Sequence, residues 1–302
     1  MGRAFTGDFA VPATPEGARL TALPFREREP LRKIIDSVEP AGVLASLKIS
    51  LFGIPISAHA YRNILGTLGV GGYRDEELGM ATIDYGDEHF TCFQFPYDWR
   101  RDNVENARRL KEFIVEKKAY VERELERRYG VVNLDVKFDI VAHSMGGLVT
   151  RYFLRHGDQD LPADGSAPEL TWEGAKYVER VVLAGTPSAG SAEAIVQLVG
   201  GITFAPFLPR YGPAVLGSMP SIYQLLPRSR HQPIVDAAHP EQSVGDLFDA
   251  ALWERFGWGL ASWILKKSCT GYCRTCLRRR RVVGLHLITS GSALSGRAIS
   301  MR

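Results

Sequence analysis

Residues 136–157 constrain the fold more tightly than any other stretch. Val136, Phe138, Ile140 and Val141 form an apolar, β-rich run; Ala142-His-Ser-Met-Gly-Gly147 comes next, and Leu148, Val149, Tyr152, Phe153 and Leu154 then recur at helical spacing until Gly157. The first run predicts a strand and the later periodicity a helix stopped by glycine. A serine set among small residues between the two predicts a sharp, strained turn that lifts its hydroxyl clear of the strand end. On such a turn Ser144 is a candidate nucleophile, and the amide of Met145 faces the oxygen that would gain charge. The small-x-Ser-x-small pattern alone is common; the strand before it and the helix after it are what give it weight.

The 302 residues suffice for one large α/β domain with a sizeable core. An apolar content of 45% with 24% charged residues is ordinary for a soluble globular protein. No run of about 18 uninterrupted apolar residues occurs, which argues against a spanning helix. The first residues carry no apolar core of a secretory signal. Cys92 sits in an apolar run as a small buried side chain, and Cys269, Cys273 and Cys276 cluster near the end instead of spreading as a disulfide framework. These cysteines suit a reducing compartment, so the expected location is cytoplasmic, with contact to a membrane surface.

Net charge is +3, but no Asp or Glu comes after Glu254, so the last part of the chain is wholly basic or neutral. Such a tail suits nucleic acid or anionic lipid. Aromatic residues do not alternate with its basic ones as a base-stacking surface requires, so no nucleic-acid partner is expected. The reading preferred is a tail, about 262–302, unrelated in origin to the domain before it.

Along the chain, residues 1–30 read as irregular and 31–70 as helical pieces ending at Gly71-Gly72. Phe90, Cys92, Phe93 and Phe95 predict a strand closed by Pro96. Asp102 with Glu105 predicts a capping box, opening a long helix with Val104, Ala107, Leu110, Ile114, Val121 and Leu125 as its buried stripe. Residues 157–173 form a polar loop, and Val178–Ala184 the next strand, stopped by Gly185-Thr-Pro187. Alternating strands and helices predict a mostly parallel sheet with helices on both faces. From about 190 to 258 an apolar, Gly- and Pro-punctuated segment including Phe204 and Phe207 reads as a lid over the serine, or else as helices packed on the sheet. Val282–Thr289 predicts one more strand.

Four separated motifs then point one way: Phe95-Pro-Tyr-Asp-Trp-Arg100, Ala142–Gly147 with Leu148-Val-Thr-Arg-Tyr-Phe153, Gly185-Thr-Pro187, and Pro220-Ser-Ile-Tyr-Gln-Leu-Leu-Pro227. Over roughly residues 60–258 their order and spacing resemble the lecithin:cholesterol acyltransferase family. The resemblance implies a single α/β-hydrolase-like domain whose serine takes an acyl group from a lipid ester and passes it to an alcohol or to water, without a cofactor. Ser144 matches the family's nucleophile, Met145 the residue giving half the oxyanion hole, and Asp98 and Trp99 a motif near the acyl pocket; a turn residue and a core anchor are the plainer alternatives for the last two. The expected partners are a lipid or acyl-ester substrate and, through the lid, a lipid surface.

A hydroxyl needs a base within reach, and the base an acid to orient it. In this fold the acid and then the histidine come after the serine in the chain. Neither matching residue is found before Arg302, nor does a first strand with its second oxyanion amide precede Gly72, so the domain is expected to be clipped at both ends. Stand-ins are poor. The histidines after Ser144 are His156, His231, His239 and His286; His286, the one downstream of Asp246, Asp249 and Glu254, alternates with leucines, His231 and His239 read as surface residues, and His143, beside the serine, points away from it in such turns. The three clustered cysteines with His286 lack the paired arms of a zinc site, so no metal is expected, and residues 262–281 look like an altered or frame-shifted terminus. The reading is a lipid O-acyltransferase or esterase with impaired turnover; the alternative is a catalytically dead relic or lipid-binding module.

Overall fold

The computed structural model describes residues 8–9, 15–24, 36, 40, 46–51, 54–59, 62–77, 89–203, 209–259 and 261. In chain order its elements are β1 (Asp8–Phe9), α1 (Pro15–Leu20), β2 (Ser46–Leu51), β3 (Ile54–His59), α2 (Arg62–Val70), α3 (Asn103–Tyr129), β4 (Phe138–His143), α4 (Met145–His156), β5 (Val178–Ala184), α5 (Ala192–Gly200), α6 (Pro213–Gly217), α7 (Pro220–Gln224) and α8 (Ala250–Phe256). They fall into two compact units: residues 1–11, 37–98 and 110–138, and residues 12–36, 99–109 and 139–302.

In the first unit, β2 pairs antiparallel with β3, from Leu51 opposite Ile54 to Ser46 opposite His59, and β1 joins β2 in parallel. These strands stand where helical pieces were expected. Ser46-Leu-Lys-Ile-Ser-Leu51 alternates with period two, and Ile54 and Ile56 favour a pleated backbone; that short period outweighed the helical reading. Helix α2 ends at the glycine pair as expected: the Gly71 amide donates to the Thr67 carbonyl at 3.1 Å and Gly72 has φ 93°. The predicted strand at 90–95 is absent. Only one bridge, Asp75 to Cys92, forms there, because the Thr91 and Cys92 amides both turn to the Arg74 carbonyl at 2.9 Å and bend the chain out of a ladder. The aromatic side chains pack instead against α3: Phe93 meets Tyr120 edge-on at 5.8 Å, and the Tyr120 hydroxyl accepts the Phe90 amide at 3.1 Å.

Asp102 does cap α3. Its Oδ1 accepts the Val104 amide at 2.8 Å and its carbonyl the Asn106 amide at 3.1 Å. The reciprocal half of the capping box does not form: Glu105 lies one turn from two guanidinium groups, which draw its carboxylate to Arg101 at 2.8 Å and Arg109 at 3.5 Å. Val104, Ala107, Leu110 and Ile114 are buried as expected, while Val121 and Leu125 are half-buried.

In the second unit, the Ser144 amide, just past β4, donates to the carbonyl of Ala184, the last residue of β5, at 2.8 Å. The carboxyl ends of the two strands therefore lie side by side, so the pair is parallel with α4 as the crossover. Helix α4 is held by Leu148, Val149, Tyr152 and Phe153, each at most 1% exposed, and ends at Gly157, whose amide donates to the Phe153 carbonyl at 2.7 Å. Along β4 exposure alternates, with Val141 open to solvent and Ala142 buried. The chain is thus α/β, with a small parallel sheet and flanking helices. The described residues between 190 and 258 carry α5–α8; Leu198, Met219, Leu226 and Leu247 are fully buried, and the Trp253 indole donates to the Leu247 carbonyl at 2.7 Å. The predicted strand 282–289, the three clustered cysteines, His286, Phe204 and Phe207 lie outside the described residues.

Candidate active site

Ser144 stands between β4 and α4 at φ 51° and ψ −124°. Such a conformation is strained for any residue with a Cβ and persists only where its surroundings enforce it. Three contacts and one glycine conformation do so here. The Ser144 amide is tied to Ala184 at 2.8 Å, and its carbonyl accepts the Gly147 amide at 3.1 Å, closing the first turn of α4. Gly147 lies against Thr186, and a Cβ there would come within 2.7 Å of the threonine Cγ2. Gly185, at φ 58°, lets the chain turn sharply after β5 so that Thr186 reaches that position.

The loop after β5 is itself braced. The Ser188 amide donates to the Thr186 carbonyl at 2.8 Å, the Gly190 amide to the Pro187 carbonyl at 3.0 Å, and Arg151, on α4, donates to the Ser188 hydroxyl at 2.6 Å. Met145 is the first residue of α4 and is buried. At this position a helix leaves its amide without an intrahelical partner and adds the positive end of its dipole. A half-buried hydroxyl beside an amide of that kind is suited to attack a carbonyl and hold the resulting oxyanion.

The other candidates are dispersed. Asp98, in the first unit, is 6% exposed, and Trp99, in the second, is half-buried. His143 is exposed, with its ring beside Gly185: a Cβ on that glycine would lie 3.8 Å from Nε2. His156 is 3% exposed and its Nδ1 meets the Glu169 carbonyl at 2.7 Å, a structural contact. His231 lies on the surface accepting from Arg230 at 3.1 Å, and His239 faces Glu241 at 3.6 Å. Asp246 accepts the Phe248 amide at 3.0 Å, and Asp249 caps α8 through the Ala251 amide at 3.1 Å. Among the described residues no histidine or carboxylate hydrogen-bonds the Ser144 hydroxyl, and no group of three His, Cys, Asp or Glu side chains is placed to hold a metal.

Sequence reasoning missed Thr186 as the residue that packs on the turn, although Gly185-Thr-Pro187 and the glycine pair after the serine were both visible. It also missed Gln224, whose side chain meets Asp102 from 122 positions away.

A serine raised on a strained turn between one strand of a parallel pair and the N-terminus of the crossover helix defines an α/β-hydrolase-like protein. The model of the lecithin:cholesterol acyltransferase family matches residues 79–249, more than half of the sequence, and the chain belongs to that family. No curated protein matches it. Among solved structures it is similar to one described as the crystal structure of the Tle4-Tli4 complex, with 15% identity and a TM-score of 0.42 over 70% of this chain. It spans 46% of the matched chain, less than half its length.

Proposed function

We propose that this chain is a serine-dependent acyl-transfer enzyme acting on lipid esters, a reading carried by the conformation of Ser144 and supported by family membership. Ser144 Oγ attacks the acyl carbonyl, and the negative charge on the carbonyl oxygen is held by the Met145 amide. Collapse expels the alcohol and leaves the acyl group on Ser144; an alcohol or water then takes it. The proton of Ser144 passes to water as the new bond forms, and water returns one to the departing alkoxide, so the alcohol leaves neutral. Where a triad partner is missing, serine proteases retain only a rate on the order of 10³–10⁴ above water. Among the described residues no base hydrogen-bonds the Ser144 hydroxyl, so turnover is expected to be slow, with the acyl-enzyme long-lived.

A long-chain p-nitrophenyl ester in detergent micelles tests this. The expected result is release of about one equivalent of p-nitrophenol per chain, then a much slower steady state, with both lost in Ser144→Ala. Release no faster than in Ser144→Ala would overturn the reading and favour a lipid-binding module of the same fold, which micelle co-sedimentation would then reveal.

A further inference from the structure

Gln224, the last residue of α7, is 1% exposed and uses both ends of its carboxamide. Oε1 accepts the Asn103 amide at 2.9 Å, and Nε2 donates to Asp102 Oδ1 at 2.9 Å. Asn103 is the first residue of α3, so its amide is one that the helix cannot satisfy itself. Gln224 thus completes a cap begun by Asp102, from the far side of the second unit's sequence. The orientation is fixed: one group must accept from a backbone amide and its neighbour must donate to a carboxylate.

The three residues after Gln224 connect it to the serine turn. The Leu225 carbonyl accepts the Ser191 amide at 2.7 Å. Leu226 and Pro227 lie on Gly190, where a Cβ would come within 2.8 Å of the Leu226 carbonyl carbon and closer still to Pro227. Gly190 and Ser191 end the loop whose Thr186 packs on Gly147 and whose Ser188 is held by Arg151. A five-residue helix cannot hold itself in place by its own hydrogen bonds, so its location is set by its side-chain anchors.

We infer that Gln224 is a positioning residue: by locking α7 to the N-terminus of α3 it sets the loop Gly185–Ser191 against the Ser144 turn. As a statement about Ser144 chemistry this rests on the function proposed above; as a statement about the loop it does not.

Hydrogen exchange read by mass spectrometry over peptides covering 185–191 and 141–150 tests it in the full chain. Gln224→Glu sets one carboxylate against another and removes the donor; Gln224→Met removes both bonds without adding charge. Each is expected to speed exchange in the 185–191 peptide roughly tenfold, the factor matching one ordinary hydrogen bond. Asp249→Ala, which removes the cap of α8 in the same unit, is expected to leave the peptide unchanged. In parallel, a fluorophosphonate should modify Ser144 more slowly in Gln224→Met and at the wild-type rate in Asp249→Ala. Faster exchange confined to the start of α3, or a 185–191 peptide that exchanges at the wild-type rate in folded Gln224→Met, overturns the inference. Absence of fluorophosphonate modification in the wild type would instead count against the proposed function, leaving the exchange result to decide the role of Gln224.

Discussion

At Ser144 a single dihedral angle sets the chemistry and the cost together. A φ of 51° with ψ −124° is a region glycine enters freely and other residues enter at about 1–3 kcal/mol. Ser144→Gly is therefore expected to raise the melting temperature above that of Ser144→Ala, although both remove the hydroxyl; equal melting temperatures would mean the turn is unstrained. Gly147→Ala is expected to cost about 1–3 kcal/mol, because its methyl meets Thr186, and Thr186→Gly in the same chain should recover much of the loss. Urea melts of the three variants check this. Cys92 makes a separate residue-scale point. Burial, and secondarily the charge and hydrogen bond of Asp75, push its thiol up to about 12. A pKa raised in the folded state contributes stability that is complete below about 9 and is lost as pH rises toward 12. Iodoacetamide at a pH of about 8.5, near the ordinary thiol pKa, is accordingly expected to spare Cys92 in native protein and to alkylate it in urea.

Among the elements, α3 and α4 separate what local patterns can state from what they cannot. The start of α3, its cap and the first half of its buried stripe were legible because each depends on residues within one or two turns. The capping box failed because two arginines, four residues either side of Glu105, compete for its carboxylate. Asp102→Ala is thus expected to cost about 1–2 kcal/mol, with Glu105→Gln costing less, which thermal melts would rank. The 90–95 segment shows the opposite limit: a run of aromatic residues looks extended, but a strand needs a partner, and two amides that a ladder would use turn to one carbonyl. In α4, His156 packs with its Nδ1 on the Glu169 carbonyl, and burial holds its pKa below the ordinary value of about 6.5, with the Arg155 charge acting in the same direction. A pKa lowered in the folded state means that stability is present above about 6.5 and falls as pH drops through and below it, since the unfolded histidine takes up a proton first. His156→Gln is expected to flatten the acid side of the stability profile below about pH 6.5.

For the molecule as a whole, the order of four short motifs was enough to reach the family, and the α/β character came from alternating strands and helices. What escaped was long-range. The β2–β3 hairpin lay in a stretch whose alternation was overlooked, and the contact between Gln224 and Asp102 spans 122 positions with no local signal at either end. In the segment expected to be a lid, Leu198, Met219, Leu226, Leu247 and Trp253 are buried, as they would be in a lid or in helices packed on a sheet, which is why its hydrophobicity alone did not reveal its role. No helix among the described residues is long and apolar enough to cross a membrane. The proposed acyl transfer depends most on one oxygen atom being presented for attack at the carboxyl end of β4. Treating native protein with a long-chain fluorophosphonate, then digesting it and mapping the adduct by mass spectrometry, measures that directly. One adduct per chain is expected, on the peptide containing Ser144, absent in Ser144→Ala and in protein unfolded by urea. A folded wild-type chain that stays unmodified, or an adduct that survives Ser144→Ala, would contradict a nucleophilic Ser144.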